Sequence, residues 1–382
     1  MMSACNVSCE VSNRVEATAW GGVAAMHQLA RAIGLVEAFD ENVDVLKIHK
    51  PYHESDHILG IALNILAGGT YLGDLELRRC DQSYMNALGA ERNPDPTTAG
   101  DFTRRFTDEA SVLNLMEAIN EVRAEIWKEL SGKERRRALI GTDGTLAPTT
   151  GKRKEGMGLS YKGIWGYHPL VVSLANTREA LYLVNRPGNS VSHEDAAPYM
   201  DRAVALVRDS FKNVWLRGDT DFSLTKHFDR WCEQGVNFVF GFDAMKNVVD
   251  IAEGLDEASW KPLVRRAKHA CKGNRRRRRA NVKERIVKEK GYKNIRLESE
   301  QVAEFPYRPS KCAREYRVVV VRKNLSVEKG EAVLFDDIRY FFYITNDTKM
   351  SAREVVRFIN GRCDHENDIE PVSYTHLTLP TN

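Results

Sequence analysis

Two acidic residues follow apolar segments, at places where carboxylates could hold a metal ion. Asp143 follows the segment 138–142, and Asp219 follows the segment 213–218. An acid at the end of a buried strand costs free energy unless it is paired or holds a cation. An Asp before a glycine such as Gly144 often only hydrogen-bonds its own turn, so Asp143 alone is weak evidence. A second acid at a matching place favours a hard cation such as Mg²⁺, which prefers oxygen ligands.

A third acid, Glu366, lies on a predicted helix that Ser351 and Glu354 open as an S-x-x-E capping box. At about 100° per residue, the apolar stripe of this helix has Arg362 and Glu366 in its middle. The apolar members of the stripe are Val355, Phe358 and Ile359. A charged pair on a buried face needs a reason. It is either an ion pair at a domain contact, or a third metal ligand with an arginine that meets phosphate.

The elements around Asp143 and Asp219 alternate between strands and helices. Their order predicts an α/β protein with a mixed sheet flanked by helices, of the ribonuclease H-like type. Both acids would then lie at the same end of central strands. The predicted elements are strands at 138–143, 167–174 and 180–184 with a hairpin at 175–179, a helix opened by Ser192 and Asp195, a strand at 213–219, a helix at 225–234 and a strand at 236–241.

Residues 1–133 are predicted to form a helical domain that binds DNA. Its basic, aromatic segment 101–106 contains Arg104 and Arg105. This segment fits either a helix-turn-helix that reads DNA ends or an ordinary bundle with a solvated basic face, and both interpretations stay open. Further signals are an apolar helical repeat at 23–35, a helix capped by Ser55 and ended at Gly68-Gly69, a loop and helix start at 93–98, and a long helix at 111–130.

Composition excludes several classes of protein. The 382 residues suit two or three domains, and the net charge of +3 excludes a polycation. The seven cysteines include no CxxC pair, which argues against a cysteine zinc site or a disulfide framework. No apolar run reaches membrane-spanning length and no signal peptide opens the chain, so a reduced, cytoplasmic protein is predicted.

Charge is concentrated in the second half of the chain. Residues 245–340 are predicted to be a β-rich insertion, with strands at 316–321 and 339–344. The insertion carries a basic arm that includes Arg275, Arg276, Arg277, Arg278 and Arg279. Such a run is either a solvated loop or a contact to the phosphate backbone, and steep salt dependence of DNA binding would indicate the second.

From about residue 15 to 370 the sequence resembles the DDE transposases of bacterial insertion sequences, in the group numbered thirteen-eighty. The resemblance rests on 160–163, 166–170, 216–222 and 343–346. The last family signature is Tyr, two residues, Arg, three residues, Glu, six residues, Lys. Arg362 and Glu366 match its spacing, whereas Ile359 occupies the Tyr position and Ser373 the Lys position.

The resemblance implies that Asp143, Asp219 and Glu366 hold two Mg²⁺ or Mn²⁺ ions, with Arg362 beside the phosphate. The ions would serve in-line cleavage at transposon ends, after which the freed 3′-hydroxyl attacks target DNA. The partners are therefore the terminal repeats and target DNA, with a homodimer acting on DNA in the bacterial cytoplasm or nucleoid.

Asp221 is the alternative to Asp219 as the second ligand, because residues two positions apart along an extended strand lie on one face. Lys162 is a further candidate DNA contact, while Trp165 and Trp215 are expected to pack.

The predicted division places the first part of the catalytic core at 134–244, its second part, with the Glu366 helix, at 341–370, and an unrelated tail at 371–382, which suggests truncation.

Two competing functions are open. Asp143-Gly144-Thr145 also fits the end of a D-x-D-G-T phosphatase motif, but Gly141 occupies the place of its nucleophile. The stronger competitor is a DNA-binding remnant without catalysis, and metal-dependent strand cleavage would separate it from an active transposase.

Overall fold

The computed structural model describes residues 18–151, 154–263, 293–329 and 332–361, with side chains at all of these except 293–298, 326–329 and 332–337. The chain divides into two compact units. The described part of the first comprises residues 18–131, 149–151 and 154–155, and that of the second comprises 132–148, 156–263, 293–329 and 332–361. Within the described residues, no helix is both long and apolar enough to cross a membrane.

The first unit is built of helices, as its apolar periodicity predicts. Gly34 divides the apolar repeat at 23–35, because its φ of 79° lies in the left-handed region that glycine favours. The helices are α1 Gly21–Ala32, α2 Leu35–Asn42, α3 Glu54–Leu66, α4 Leu75–Arg79, α5 Gln82–Leu88, α6 Pro96–Thr103 and α7 Glu109–Lys128.

The start of α3 differs from the prediction. The helix begins at Glu54 with His53 as its N-cap, so Ser55 lies inside the first turn and is not the cap. Ser55 is buried, and its backbone amide and hydroxyl donate to the two carboxylate oxygens of Asp40 at 2.9 and 3.0 Å. The serine therefore joins α3 to α2, and this tertiary partner outweighs its local capping preference.

The second unit contains a nine-stranded sheet in the order β6-β5-β1-β7-β8-β12-β11-β10-β9. Strands β1, β7 and β8 are parallel, and the other neighbouring pairs are antiparallel. A small sheet in the order β2-β4-β3 accompanies it. The strands are β1 Ala138–Gly144, β2 Ala147–Pro148, β3 Gly158–Leu159, β4 Trp165–Tyr167, β5 Leu170–Leu174, β6 Glu179–Val184, β7 Val214–Gly218, β8 Asn237–Phe242, β9 Lys261–Pro262, β10 Lys293–Tyr307, β11 Tyr316–Lys329 and β12 Ala332–Thr345.

Helices flank this sheet: α8 Ala196–Arg208, α9 Phe228–Glu233, α10 Lys246–Glu253 and α11 Ala352–Asn360. Helix α8 packs on β1, β5, β6 and β7, and α11 packs on β8, β10 and β11. The predicted mixed sheet with flanking helices is confirmed. Helix α8 begins at Ala196, and the preceding Asp195 makes no side-chain cap bond, so the predicted start at Ser192 is wrong.

Helix α11 begins as the capping box predicts. The Ser351 hydroxyl accepts from the Glu354 amide at 3.3 Å, and a Glu354 carboxylate oxygen accepts from the Ser351 amide at 2.8 Å. The apolar stripe of the helix enters a buried cluster with residues of the sheet. The members of this cluster are Trp215, Val239, Val302, Val319, Val321, Val355, Val356 and Ile359.

Candidate active site

Asp143 lies near the end of β1, on a face that the alternation of the strand defines. Leu139, Gly141 and Asp143 point to one face, because side chains alternate along a strand. Leu139 packs against the buried cluster beneath α11, so this is the face that α11 covers. The Asp143 side chain is partly buried, and its Oδ1 accepts from the Gly144 amide at 2.8 Å.

Strand β1 pairs with β7, the strand that Asp219 follows. The parallel register sets Leu139 beside Trp215 and Gly141 beside Arg217. The pairing ends there, and Asp143 and Asp219 each follow two residues later along the chain. Neighbouring strands lie roughly 4.8 Å apart. Trp215 also belongs to the buried cluster, so Trp215 and Arg217 of β7 point to the face of the sheet that α11 covers.

Asp219 directly follows β7 and caps the short 3₁₀ turn Thr220–Phe222. Its Oδ1 accepts from the Asp221 amide at 3.0 Å, which orients the carboxylate. Because residues 220–222 turn, Asp221 does not continue an extended strand, and the argument that placed it on the face of Asp219 is wrong. The Asp221 side chain is exposed.

Gly241 in β8 gives the Asp219 turn its space. A Cβ on Gly241 would lie 2.7 Å from the Thr220 amide nitrogen and 3.1 Å from the Asp219 carbonyl carbon. Only glycine allows the backbone after β7 to pass this close. The sequence analysis missed this residue, although a glycine inside an apolar strand often marks a close approach of another backbone.

The end of α11 lies over the same region. Arg217 is buried, and its Nη1 donates to the Phe358 carbonyl oxygen at 3.2 Å. A Cβ on Gly361 would lie 2.9 Å from that Nη1, so the chain leaves α11 beside Arg217, two residues before Asp219. Arg362 and Glu366 follow Gly361 and lie outside the described residues.

A buried arginine supports the strand that pairs with Asp143. Arg186 is 4% exposed, and its Nε donates to the His168 carbonyl oxygen at 3.0 Å. Its Nη1 donates to the Ser192 and Glu194 carbonyl oxygens at 3.0 and 2.6 Å. Burial lowers the pKa of Arg186. His168 is also buried, and its Nδ1 donates to the Ser190 carbonyl oxygen at 2.9 Å, which gives it a structural role.

Arg186→Met is expected to lower the free energy of unfolding by about 3 kcal/mol, because it leaves buried carbonyl groups without their charged donor. Urea unfolding followed by circular dichroism measures the change. Arg208→Met is the control, since Arg208 is exposed and donates to the Gln234 carbonyl oxygen at 3.1 Å. Equal stability of the two variants would contradict this role for Arg186.

The candidate DNA contacts lie in different parts of the chain. Arg104 and Arg105 are exposed; Arg104 pairs with Asp101 at 2.7 Å, whereas Phe102 of the same segment is buried core. Lys162 is exposed in the turn between β3 and β4, with its Nζ 5.4 Å from the centre of the Tyr161 ring. Residues Arg275 to Arg279 lie outside the part of the chain that the structure describes.

Comparisons with known proteins give the chain its family. No curated protein matches it. Among solved structures, it is similar to the cryo-EM structure of the piggyBac transposase synaptic complex with hairpin DNA, at 12% identity and a TM-score of 0.40, over 93% of this chain and 70% of that chain. The family model for the transposase DDE domain, group 1, matches residues 9–375. Because this match spans nearly the whole sequence, the chain belongs to the DDE-domain transposases of group 1.

Proposed function

We propose that this protein cuts DNA at the ends of a mobile element and joins the freed ends to target DNA. The observation that supports the proposal is the β1–β7 pairing, which ends at Gly141 and Arg217, two residues before Asp143 and Asp219, beside the end of α11. The strand order β6-β5-β1-β7-β8, with β1, β7 and β8 parallel, supports a ribonuclease H-like core. We assign the chain to the bacterial thirteen-eighty group on the sequence motifs.

The two carboxylates fit a divalent cation that prefers oxygen ligands. Two acids on neighbouring strands repel each other unless a positive charge lies between them. A backbone amide orients each of them, as is usual for carboxylates that bind metals. We propose that Asp143 and Asp219 hold Mg²⁺ or Mn²⁺, with two ions in the complete site. The bound cations would supply Lewis acidity at the phosphate and a water of lowered pKa.

Glu366 would complete this ligand set. It lies five positions after Gly361, and five positions span at most about 18 Å even when fully extended. Gly361 lies beside Arg217, so the start of this segment is held close to Asp219. Arg362 directly follows Gly361, and we propose that its guanidinium offsets phosphate charge during cleavage.

The DNA would be held through its phosphates by exposed cations. We propose Lys162, Arg104 and Arg105 as contacts, together with the run Arg275 to Arg279. Residues 1–133 would form the domain that recognises the ends of the element. Joining two ends requires both to be held at once, which a homodimer on DNA would provide.

Cleavage of a labelled duplex that carries the element's own ends tests the proposal. The full chain with Mg²⁺ or Mn²⁺ is expected to nick the duplex at the end of the element and leave a 3′-hydroxyl. A chelator should abolish nicking, because Asp143 and Asp219 alone offer no substitute for the cation. Binding of the duplex without nicking would instead favour the second candidate function, a DNA-binding protein without catalysis.

A further inference from the structure

A second group of metal-ligand side chains lies in the helical unit. His49, His53 and Glu54 place one ligand atom each within 4.8 Å of one another. We propose that these three residues bind a divalent transition-metal ion of the Zn²⁺ type, independently of the DNA-cleaving site. The ion would join the segment 43–53, between α2 and α3, to the first turn of α3.

Glu54 is the fixed ligand of this group. It is 1% exposed, although a buried carboxylate is costly unless it has partners. Its Oε1 accepts from the Val45 and Leu46 amides at 3.3 and 3.0 Å, which holds the carboxylate in place. Its Oε2 lies 3.1 Å from His49 Nδ1. A carboxylate oriented by hydrogen bonds to one oxygen is how proteins usually present a metal ligand.

The two histidines are the adjustable ligands. Both are exposed, and their rings stack with centroids 5.6 Å apart and planes inclined by 28°. Tetrahedral Zn²⁺ with bonds near 2.1 Å needs ligand atoms roughly 3.4 Å apart. His49 and Glu54 already meet this separation, at 3.1 Å. Because both imidazoles are exposed, rotation of their rings can bring the third ligand atom to this distance.

The donor types select the class of ion. Two imidazole nitrogens and one carboxylate suit Zn²⁺ and its neighbours Co²⁺ and Ni²⁺, whereas Mg²⁺ and Ca²⁺ prefer oxygen ligands alone. Three protein ligands leave a fourth position for water. A simple ion pair of His49 with Glu54 is the alternative, but it gives His53 no role beside the carboxylate.

Metal binding would also fix a neighbouring arginine. The Val45 amide donates to Glu54, and the Val45 carbonyl oxygen accepts from Arg105 Nη1 at 3.4 Å. The ion would therefore fix the segment to which this exposed arginine donates its hydrogen bond. Because a preformed site rarely exists in an unfolded chain, binding should also stabilise this unit.

Metal content measured by equilibrium dialysis tests the site. The full, untagged chain is dialysed against Zn²⁺ in excess Mg²⁺, so that oxygen-rich sites are occupied by Mg²⁺. Wild type is expected to retain one Zn²⁺ that His49→Gln and His53→Gln each lose. His193→Gln, an exposed histidine of the other unit, is the matched control and should keep the ion. Because both target histidines are exposed, these changes leave the core intact.

Co²⁺ substitution supplies a second readout that does not involve DNA cleavage. Visible bands of tetrahedral Co²⁺ without a thiolate charge-transfer band are expected in wild type and should vanish in both variants. Zn²⁺ should also raise the melting temperature of wild type and of His193→Gln only. Retention of the ion by His49→Gln or His53→Gln, a thiolate band, or failure of wild type to retain Zn²⁺ would each overturn the site. A result of any kind leaves the proposal for Asp143 and Asp219 unaffected.

Discussion

Asp143→Asn and Asp219→Asn are each expected to lower the rate of DNA cleavage about 10³-fold, whereas Asp221→Asn should cleave at close to the wild-type rate. Removing a carboxylate weakens the hold on the cation, whose Lewis acidity supplies several kcal/mol, and about 1.4 kcal/mol corresponds to a tenfold change. Asparagine keeps the oxygen that accepts from the Asp221 amide, so the turn after β7 should persist. Asp221 is exposed and lies in that turn, outside the strands.

Single-turnover cleavage of a pre-bound duplex, at saturating protein, separates chemistry from binding. All three variants should bind the duplex and show the circular dichroism of wild type, which makes Asp221→Asn the matched control for a lost charge beside the site. Loss of cleavage in Asp221→Asn with retention in Asp219→Asn would reverse the assignment of the second ligand. Undiminished cleavage by Asp143→Asn would remove the proposed site altogether.

The strands beside the two acids could be predicted from the sequence because each is an apolar segment, and Asp143 lies in β1 while Asp219 directly follows β7. The stripe of α11 was predicted for the same reason, since Val355 and Ile359 repeat at helical spacing and are buried as expected. Trp215 packs as expected, but Trp165 is 49% exposed and does not. Composition alone cannot tell these two tryptophans apart, because α11, the helix that packs on Trp215, is distant in sequence.

Residues governed by distant partners escaped the sequence analysis. Ser55 carries a capping signal, yet its hydroxyl donates to Asp40 of another helix. Strand β10 was missed because charged residues interrupt its alternation, and its pairing with β11 decides its structure instead. Glu366 is the opposite case. The sequence gives its spacing from Arg362 in the family signature, but Glu366 lies outside the described residues.

Gly241→Ala is expected to lower cleavage about 10²-fold although Gly241 carries no functional group. The added Cβ would lie 2.7 Å from the Thr220 amide nitrogen, a distance that forces the backbone of Asp219 and Thr220 to move. A shift of about 1 Å in a reacting group can cost 10²-fold in rate. Some loss of stability, about 1–3 kcal/mol, should accompany the overpacking.

A displaced ligand can be distinguished from a weakened fold by its metal dependence. Gly241→Ala should need more Mg²⁺ for half-maximal cleavage at a temperature where it is fully folded, because the turn that holds Asp219, the proposed metal ligand, is displaced. Gly254→Ala is the matched control, since its Cβ would meet nothing closer than 3.4 Å and its φ of −78° is ordinary for alanine. An unchanged Mg²⁺ requirement in Gly241→Ala would show that the turn after β7 does not set the position of the metal ligand, and would confine Gly241 to packing.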